Sequence, residues 1–211
     1  DEVLRNLDER LKYLRNLEER KEQVINSIRE QEKLTPELEK KILAASTLVA
    51  VEDLYLPYRP KRKTRASIAK EKGLEPLANL VLMQLTKTPL LKEAEHYISE
   101  EKGVLTAEEA LNGAKDILAE RIAETAGYRT YIRKATFQEG SLDSSARDGN
   151  AESVYEMYYN FTEPVKKAAG HRILALNRGE KEKILTVKIT APEEKILRYL
   201  EKKVITRENP E

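Results

Sequence analysis

The chain has 211 residues, and its 38 Lys and Arg residues against 37 Asp and Glu leave a formal net charge of +1. With so balanced a charge, recognition of a charged partner has to come from local clusters of residues. Cysteine is absent, which excludes disulfides, Cys-ligated zinc, iron–sulfur clusters and thiol catalysis.

Apolar runs in this chain are short, because charged residues make up 36% of it and hydrophobic residues 40%. None is long enough to span a membrane, and no leader of the secretory type is visible. We therefore expect a cytoplasmic protein without membrane association. Because the sequence begins with Asp1 and not with Met, we also expect a piece of a longer polypeptide.

Two helices are predicted at the N-terminal end. Leucines at alternating spacings of three and four residues begin the first, which covers residues 2–31: Leu4, Leu7, Leu11 and Leu14. Glu18 and Lys21 interrupt this stripe, which favours a helix packed on its own domain over a sustained coiled coil. Thr35 and Pro36 are typical of a helix start, and the second helix runs from there to Leu54, so that the two form a helical hairpin.

Short helices follow Pro57 and Pro60, neither of which can donate a helix hydrogen bond. Arg65–Lys72, a stop at Gly73 and Pro76–Leu85 form a helix-turn-helix-like element. Further helices are predicted in chain order: Pro89–Glu101, Thr106–Gly127 and Tyr128–Gln138.

The last third of the chain changes in pattern. Glu139–Asn150 is a loop by composition, and Ala151–Phe161 is predicted as a tyrosine-rich helix. Arg172–Leu176 and Lys183–Ile189, on either side of an Asn-Arg-Gly-Glu sequence, predict a β-hairpin. A final helix, Pro192–Lys203, is followed by a polar tail over Arg207–Glu211.

The predicted fold is therefore mainly α, a multi-helix bundle with a helix-turn-helix-like element and one late β-hairpin. We divide it into a helical hairpin over residues 1–60, a helical core over 61–170, and the β-hairpin with the terminal helix over 171–211. No internal repeat is evident.

The segment Tyr55–Arg65, which reads YLPYRPKRKTR, is the most distinctive in the chain. It carries five cations and no acid: Arg59, Lys61, Arg62, Lys63 and Arg65. Two prolines hold it extended, and an extended basic segment attracts phosphate through the release of condensed counterions. Tyr55 and Tyr58 could stack on bases. In the structural alternative the tyrosines anchor the loop to the core, and the cations are solvated or bound to helix carbonyls.

Two other places could contact nucleic acid. A second set of cations lies around the predicted hairpin: Arg172, Arg178, Lys181 and Lys183. These residues could touch phosphate, or they could simply keep an exposed turn soluble. Tyr155, Tyr158, Tyr159 and Phe161 crowd into one segment, either as a stacking platform or, in the alternative that we favour, as core packing.

Groove reading by the helix-turn-helix-like element is not expected. Its second helix, Pro76–Leu85, is almost wholly apolar, whereas a recognition helix needs polar side chains that project toward base edges. The two histidines, His96 and His171, stand in no metal-binding or triad spacing. We therefore expect no catalytic residue, no metal and no cofactor, and a protein that is not an enzyme.

Several blocks resemble the bacterial transcription accessory protein Tex family. In chain order they are Tyr13–Arg20 (YLRNLEER), Leu34–Leu38 (LTPEL), Glu52–Arg65, Gly73–Ala78 (GLEPLA), Gly113–Leu118 (GAKDIL) and His171–Glu180 (HRILALNRGE). The resemblance extends over nearly the whole chain and implies a fragment that corresponds to the helical N-terminal part of the family, which includes a helix-turn-helix-like element.

What the family implies for function is a role in transcription without a transferable catalytic residue. Its longer members carry a ribonuclease-H-like domain that is thought to lack a working catalytic set, helix-hairpin-helix elements and a C-terminal RNA-binding barrel. They resemble a eukaryotic elongation factor that works with RNA polymerase, and they bind nucleic acid with little sequence preference. That binding is attributed mainly to the C-terminal barrel.

Two hypotheses follow from the sequence. In the first, the chain is a non-enzymatic segment of a transcription accessory factor that makes weak, non-sequence-specific phosphate contacts through Arg59–Arg65. In the second, it is a helical scaffold that binds RNA polymerase or a transcription factor and makes no nucleic-acid contact of its own.

Overall fold

A computed structural model describes residues 1–148 and 152–207. The chain divides into two compact units, one formed by residues 1–129 with Arg207 and the other by residues 130–206. Of the described residues, 65% are helical, and a small antiparallel sheet lies late in the sequence, which confirms the predicted fold class. No described helix combines the length and the hydropathy that a membrane crossing requires.

The elements follow one another without a long irregular segment in the first unit. Its helices are α1 (Glu2–Glu30), α2 (Pro36–Ala44), α3 (Leu48–Tyr55), α4 (Arg65–Glu71), α5 (Glu75–Met83), α6 (Leu90–Glu95) and α7 (Ala107–Glu124). Helix α8 (Ala126–Glu139) contains the boundary between the units. The second unit continues with β1 (Ser141–Ala146), β2 (Asn160–Pro164), α9 (Gly170–Lys181), β3 (Leu185–Thr190) and α10 (Glu193–Val204).

The second half of α1 packs against α2 and α3, while its first half is exposed. Leu17, Val24 and Ile28 are buried together with Ile42 of α2 and Val51 of α3. A fully buried aliphatic side chain contributes roughly 1.5–3 kcal/mol, so this cluster stabilises the three helices far more than helix propensity does. The stripe of leucines that begins α1 lies outside the cluster.

The predicted second helix is in fact two helices. Thr35 caps α2 as predicted, since its side chain accepts a hydrogen bond from the backbone N–H of Leu38 at 3.2 Å. The helix then ends at Ala45, where ψ is 130°, and Thr47 starts α3 by accepting from the backbone N–H of Ala50 at 3.2 Å. The prediction of one helix was wrong because the apolar period continues across the break.

Lys21, which interrupts the leucine stripe, has a structural role at this break. It is only 5% exposed, and its Nζ donates to the carbonyl oxygen of Leu43 at 2.9 Å and to Glu18 at 2.8 Å. The ammonium group thus provides a hydrogen-bond donor for the Leu43 carbonyl in the last turn of α2, where positive charge is favoured by the helix dipole.

Helices α4 to α7 form the second core of this unit. Gly73 takes φ +78° between α4 and α5, which confirms the predicted left-handed helix stop. Leu77 and Ala78 of α5 are fully buried, as expected for an apolar helix. The predicted helix Pro89–Glu101 is shorter than expected: α6 ends at Glu95, because the chain next turns into a bridge between Ser99 and Val104.

The second unit contains a three-stranded antiparallel sheet in the order β2-β1-β3. Its central strand β1 lies in the segment predicted as a loop, and that prediction was wrong. Leu142 and Ser144 point into the core, whereas Asp143 lies on the other face and accepts hydrogen bonds from three hydroxyls, those of Ser141, Thr162 and Thr190. Hydrogen bonds from these hydroxyls lower the pKa of Asp143. The polar residues of this segment therefore form hydrogen bonds within the sheet.

The tyrosine-rich segment is a turn and a strand, not a helix. Glu156–Tyr158 forms a single 3₁₀ turn, and β2 follows it. Tyr155 and Tyr158 are each 7% exposed, and Tyr158 meets Phe161 edge to face with ring centroids 5.3 Å apart. Because they are buried, these two tyrosines do not form an exposed surface on which bases could stack.

The predicted β-hairpin is misplaced. Its second strand corresponds to β3, but Arg172–Leu176 belongs to helix α9. The Asn-Arg-Gly-Glu sequence is not a hairpin turn: a Cβ at Gly179 would lie 2.6 Å from a methyl group of Leu185, so this glycine lets α9 approach β3 closely. The final helix is confirmed as α10, and the predicted polar tail after Arg207 lies outside the described residues.

Candidate nucleic-acid interface

The basic run Arg59–Arg65 connects α3 and its 3₁₀ extension Leu56–Tyr58 to the start of α4. Its backbone is extended at both ends, with ψ 131° at Arg59 and 164° at Thr64. All five of its cationic residues are exposed. The structure therefore places the run on the surface of the first unit.

Thr64 fixes the end of the run on helix α4. Its Oγ1 accepts from the backbone N–H of Ser67 at 3.0 Å, and the Ser67 hydroxyl oxygen accepts from the backbone N–H of Thr64 at 2.8 Å. This reciprocal capping box satisfies donors that α4 would otherwise leave open. Thr64 is not among the helix caps predicted from the sequence.

Glu120 of α7 anchors the same segment from the other side. Its carboxylate accepts a hydrogen bond from the Thr64 hydroxyl at 3.0 Å and pairs with Lys61 and Lys70, each at 3.3 Å. Burial by itself raises the pKa of Glu120, but the Thr64 hydrogen bond and the two lysines outweigh it, so the net pKa is lowered. Lys61 also pairs with Glu124.

The remaining cations of the run are paired weakly or not at all. Lys63 lies 3.4 Å from Glu71, and Arg65 lies 3.6 Å from Asp116 with its own side chain 87% exposed. Exposed ion pairs of this kind contribute about 0–1 kcal/mol. Within residues 1–148 and 152–207, Arg59 and Arg62 have no ion pair, so the five cations divide into one anchor, two loosely held groups and two open ones.

The two tyrosines of the segment anchor it to the core. Tyr55 is 8% exposed and its hydroxyl lies 3.0 Å from that of Ser27. Tyr58 is half-buried against the core cluster formed by α1, α2 and α3, and its carbonyl oxygen accepts a hydrogen bond from Gln31 Nε2 at 2.9 Å. Burial contradicts the stacking role suggested for Tyr55 and supports the structural alternative.

The second set of predicted cations lies elsewhere in the fold than expected. Arg172, Arg178 and Lys181 are on helix α9, and Lys183 follows it with φ +62°. Arg172 is held 3.4 Å from the buried carboxylate of Glu163. The apolar runs on either side of Gly179 are the reason why the sequence predicts a hairpin here. Contact of these four residues with phosphate stays a prediction.

In the described part of the chain, no group of three or more His, Asp or Glu residues is placed to hold a metal ion. His171 is exposed at the start of α9, and His96 is exposed just after α6.

The first unit is helical and carries the anchored basic loop, and the second is a small α+β unit. Residues 86–208 match the family described as "Tex central region-like", and the chain belongs to the Tex family. The N-terminal blocks that suggested the family, including the basic run, precede that match.

Curated relatives cover nearly the whole chain. The "Uncharacterized protein YdcI" of Bacillus subtilis is 50% identical over 97% of the chain, and the "Transcriptional accessory protein Tex" of Neisseria gonorrhoeae is 40% identical over 89%. The "S1 RNA-binding domain-containing protein 1" of Pongo abelii is 31% identical over 88%. The matched region spans only 29%, 25% and 19% of these relatives.

Charge neutralisation of Glu120 is expected to loosen the anchored end of the basic run. Glu120→Gln removes the charge that holds Lys61 and Lys70, and we expect the free energy of unfolding to fall by about 1 kcal/mol at neutral pH. Because the folded pKa of Glu120 is lowered, its contribution is present above the ordinary carboxyl pKa and is lost as the pH falls through the folded value.

Urea unfolding between about pH 7 and pH 3 measures both effects. The difference between wild type and Glu120→Gln should shrink as the pH falls, while Glu9→Gln on the exposed side of α1 should match wild type throughout. A difference that stays constant with pH would show that the charge of Glu120 is not what anchors the run.

Proposed function

We propose that this chain is a non-enzymatic segment of a transcription accessory factor that contributes a phosphate-contacting surface through the basic run. The transcription role is supported by the Tex family and by the printed name of the Neisseria relative. The RNA-binding name of the Pongo abelii relative supports nucleic acid as the partner. The single observation that carries the phosphate contact is that Arg59 and Arg62 stand exposed on a loop without acids.

In this proposal the five cations do not act alike. Arg59 and Arg62 contact phosphate directly, since no carboxylate in the described residues has to be displaced. Lys63 and Arg65 exchange their weak surface pairs for phosphate oxygens. Lys61 stays with Glu120 and Glu124 and positions the loop.

Contacts of this kind position a protein on nucleic acid without reading its sequence. The extended loop carries no base-reading element, and its buried Tyr55 cannot stack on a base. We therefore expect similar affinities for different sequences and a marked dependence on salt.

Removing the two open arginines tests the proposal. The variant Arg59→Ala/Arg62→Ala should weaken binding of a fluorescein-labelled oligonucleotide at low salt. It should also reduce the slope of log K against log salt by about 2, or about 1 for each lost phosphate contact. Fluorescence anisotropy at several salt concentrations measures both quantities.

A matched control is Lys40→Ala, which removes an exposed cation of α2 outside the run. It should shift affinity little and leave the slope nearly unchanged. An unchanged slope in the Arg59→Ala/Arg62→Ala variant would remove the basic run as the contact surface.

The scaffold hypothesis is the second candidate, and one observation favours it. The first half of α1 exposes a row of apolar side chains that are 40–79% accessible: Val3, Leu4, Leu7, Leu11 and Leu14. Binding of purified, nuclease-treated RNA polymerase that is lost in Leu7→Lys/Leu11→Lys and kept in Arg59→Ala/Arg62→Ala would favour the scaffold over the phosphate contact.

A further inference from the structure

Helices α8 and α10 of the second unit line an open groove of about 690 Å³. Contacts from Tyr131 to Tyr199 and from Glu139 to Lys195 show that the two helices run antiparallel beside it. Its lining includes Tyr131 of α8 and, on α10, Glu194, Lys195, Arg198, Tyr199 and Lys202. Its volume lies in the range of small-ligand sites in proteins.

Two of the residues that line the groove are aromatic. The rings of Tyr131 and Tyr199 stack with centroids 3.5 Å apart and an interplanar angle of 9°. Both residues are half-buried, and neither belongs to the core cluster around Leu176 and Leu185 that holds the sheet and α9 together. The two rings therefore line the groove and are not part of the core cluster of the second unit.

The charges around this pair are separated along α10. Glu193 and Glu194 lie in its first turn, while Lys202 and Lys203 lie in its last turn. Lys195 is already bound to Glu139, and this hydrogen bond raises the pKa of the lysine. The other cations of α10 begin at Arg198, in the middle of the helix, and continue to Lys203 in its last turn.

Those cations have little to release before they bind an anion. Arg198 is 76% exposed and lies 3.5 Å from Glu194, which is 90% exposed, and a pair of this kind contributes at most about 1 kcal/mol. Lys202 has no ion pair in the part of the chain that the structure describes. Lys203 Nζ lies 5.9 Å from the centroid of the Tyr199 ring, close enough to add a cation beside the aromatic surface.

We propose that the groove between α8 and α10 binds a nucleotide unit, with its base against the Tyr131–Tyr199 pair and its phosphate on Arg198 and Lys202. Aromatic faces next to cations are the combination by which proteins hold single-stranded nucleic acid without reading its sequence. The same chemistry could be supplied by a free nucleotide. The site is on the second unit and uses none of the residues of the basic run.

The test uses the whole chain and a fluorescein-labelled oligouridylate of roughly 12 nucleotides. Tyr199→Ala should weaken binding about tenfold, because it removes one stacking surface, whereas Tyr199→Phe keeps the ring and should stay within about twofold of wild type. Lys202→Ala should reduce the salt slope by about 1, and Lys188→Ala, an exposed lysine of β3, should not.

Photocross-linking of wild type with an oligonucleotide that contains 4-thiouridine gives a readout independent of the folding of any variant. Cross-links mapped to Tyr131 or Tyr199 support the proposal with a strand as the ligand. Uridine monophosphate that competes fully, and whose own binding is lost in Tyr199→Ala, supports it with a free nucleotide as the ligand.

Equal binding by Tyr199→Ala and wild type, or cross-links confined to other residues, would overturn the proposal. Competition by polyglutamate as strong as that by oligouridylate would overturn it too, because charge alone would then explain binding. Loss of binding in Arg59→Ala/Arg62→Ala with no effect of Tyr199→Ala would leave the basic run as the sole contact, so the two proposals fail separately.

Discussion

Replacement of Gly113 by valine is expected to lower the free energy of unfolding by about 2 kcal/mol. A Cβ at this position of α7 would lie 2.3 Å from Leu74 Cδ1 and 3.3 Å from the Cβ of Ala69. Leu74 is 1% exposed and Ala69 4% exposed, so neither can move aside without disturbing the packing of α4 on α7. Urea unfolding of the chain measures the loss.

The control for this substitution is Gly127→Ala near the start of α8, where an added Cβ meets nothing within 4 Å. There the substitution should be neutral or stabilise by up to about 1 kcal/mol, because it reduces the freedom of the unfolded chain. If Gly113→Val unfolded at the same urea concentration as wild type, close packing of α4 on α7 would be contradicted.

Loss of the Arg129 guanidinium is expected to destabilise the first unit by about 2–3 kcal/mol. Arg129 Nε donates to Asp53 Oδ1 at 2.8 Å, and Asp53 is 4% exposed on α3. Arg129→Met would remove a cationic partner of a buried carboxylate, which costs more than the pair itself contributes. Because Arg129 is 38% exposed, we place the effect below that of a fully buried pair.

A double-mutant cycle of Arg129→Met with Asp53→Asn separates the pair from other contacts of either residue. The coupling free energy should be about 1–3 kcal/mol. The exposed pair of Lys12 and Asp8 on α1, at 2.6 Å, provides the comparison, and its coupling should stay near about 0.3–0.5 kcal/mol. Equal coupling in the two cycles would show that burial of Asp53 does not strengthen its ion pair.

Local sequence signals were sufficient to predict a helix end where a residue at that end caps the helix itself. Thr35 and Thr106 cap their helices, and Gly73 takes the left-handed conformation at the end of α4. These residues act within one turn of their own position, so their effect can be predicted from sequence. The exposed basic run could be located from the sequence for the same reason, because two prolines and a series of cations prevent a buried helix there.

Other parts of the fold depend on partners that are distant in the chain. The segment around Asp143 becomes a central strand only because β2 and β3 pair with it on both sides. The segment that starts at Arg172 becomes a helix whose Gly179 packs against Leu185. Serine, glycine and short apolar runs are compatible with several local structures, so composition alone predicted the wrong one.

The candidate sites divide in the same way. The sequence by itself determined the family, the mainly helical class and the position of the basic run, since periodicity, caps and charge act locally. Only the tertiary structure decided which cations remain open, by bringing Glu120 to Lys61 and leaving Arg59 and Arg62 without a carboxylate partner among the described residues. It also decided the α8–α10 groove, because the stacking of Tyr131 on Tyr199 arises from the packing of two helices and leaves no pattern along the chain.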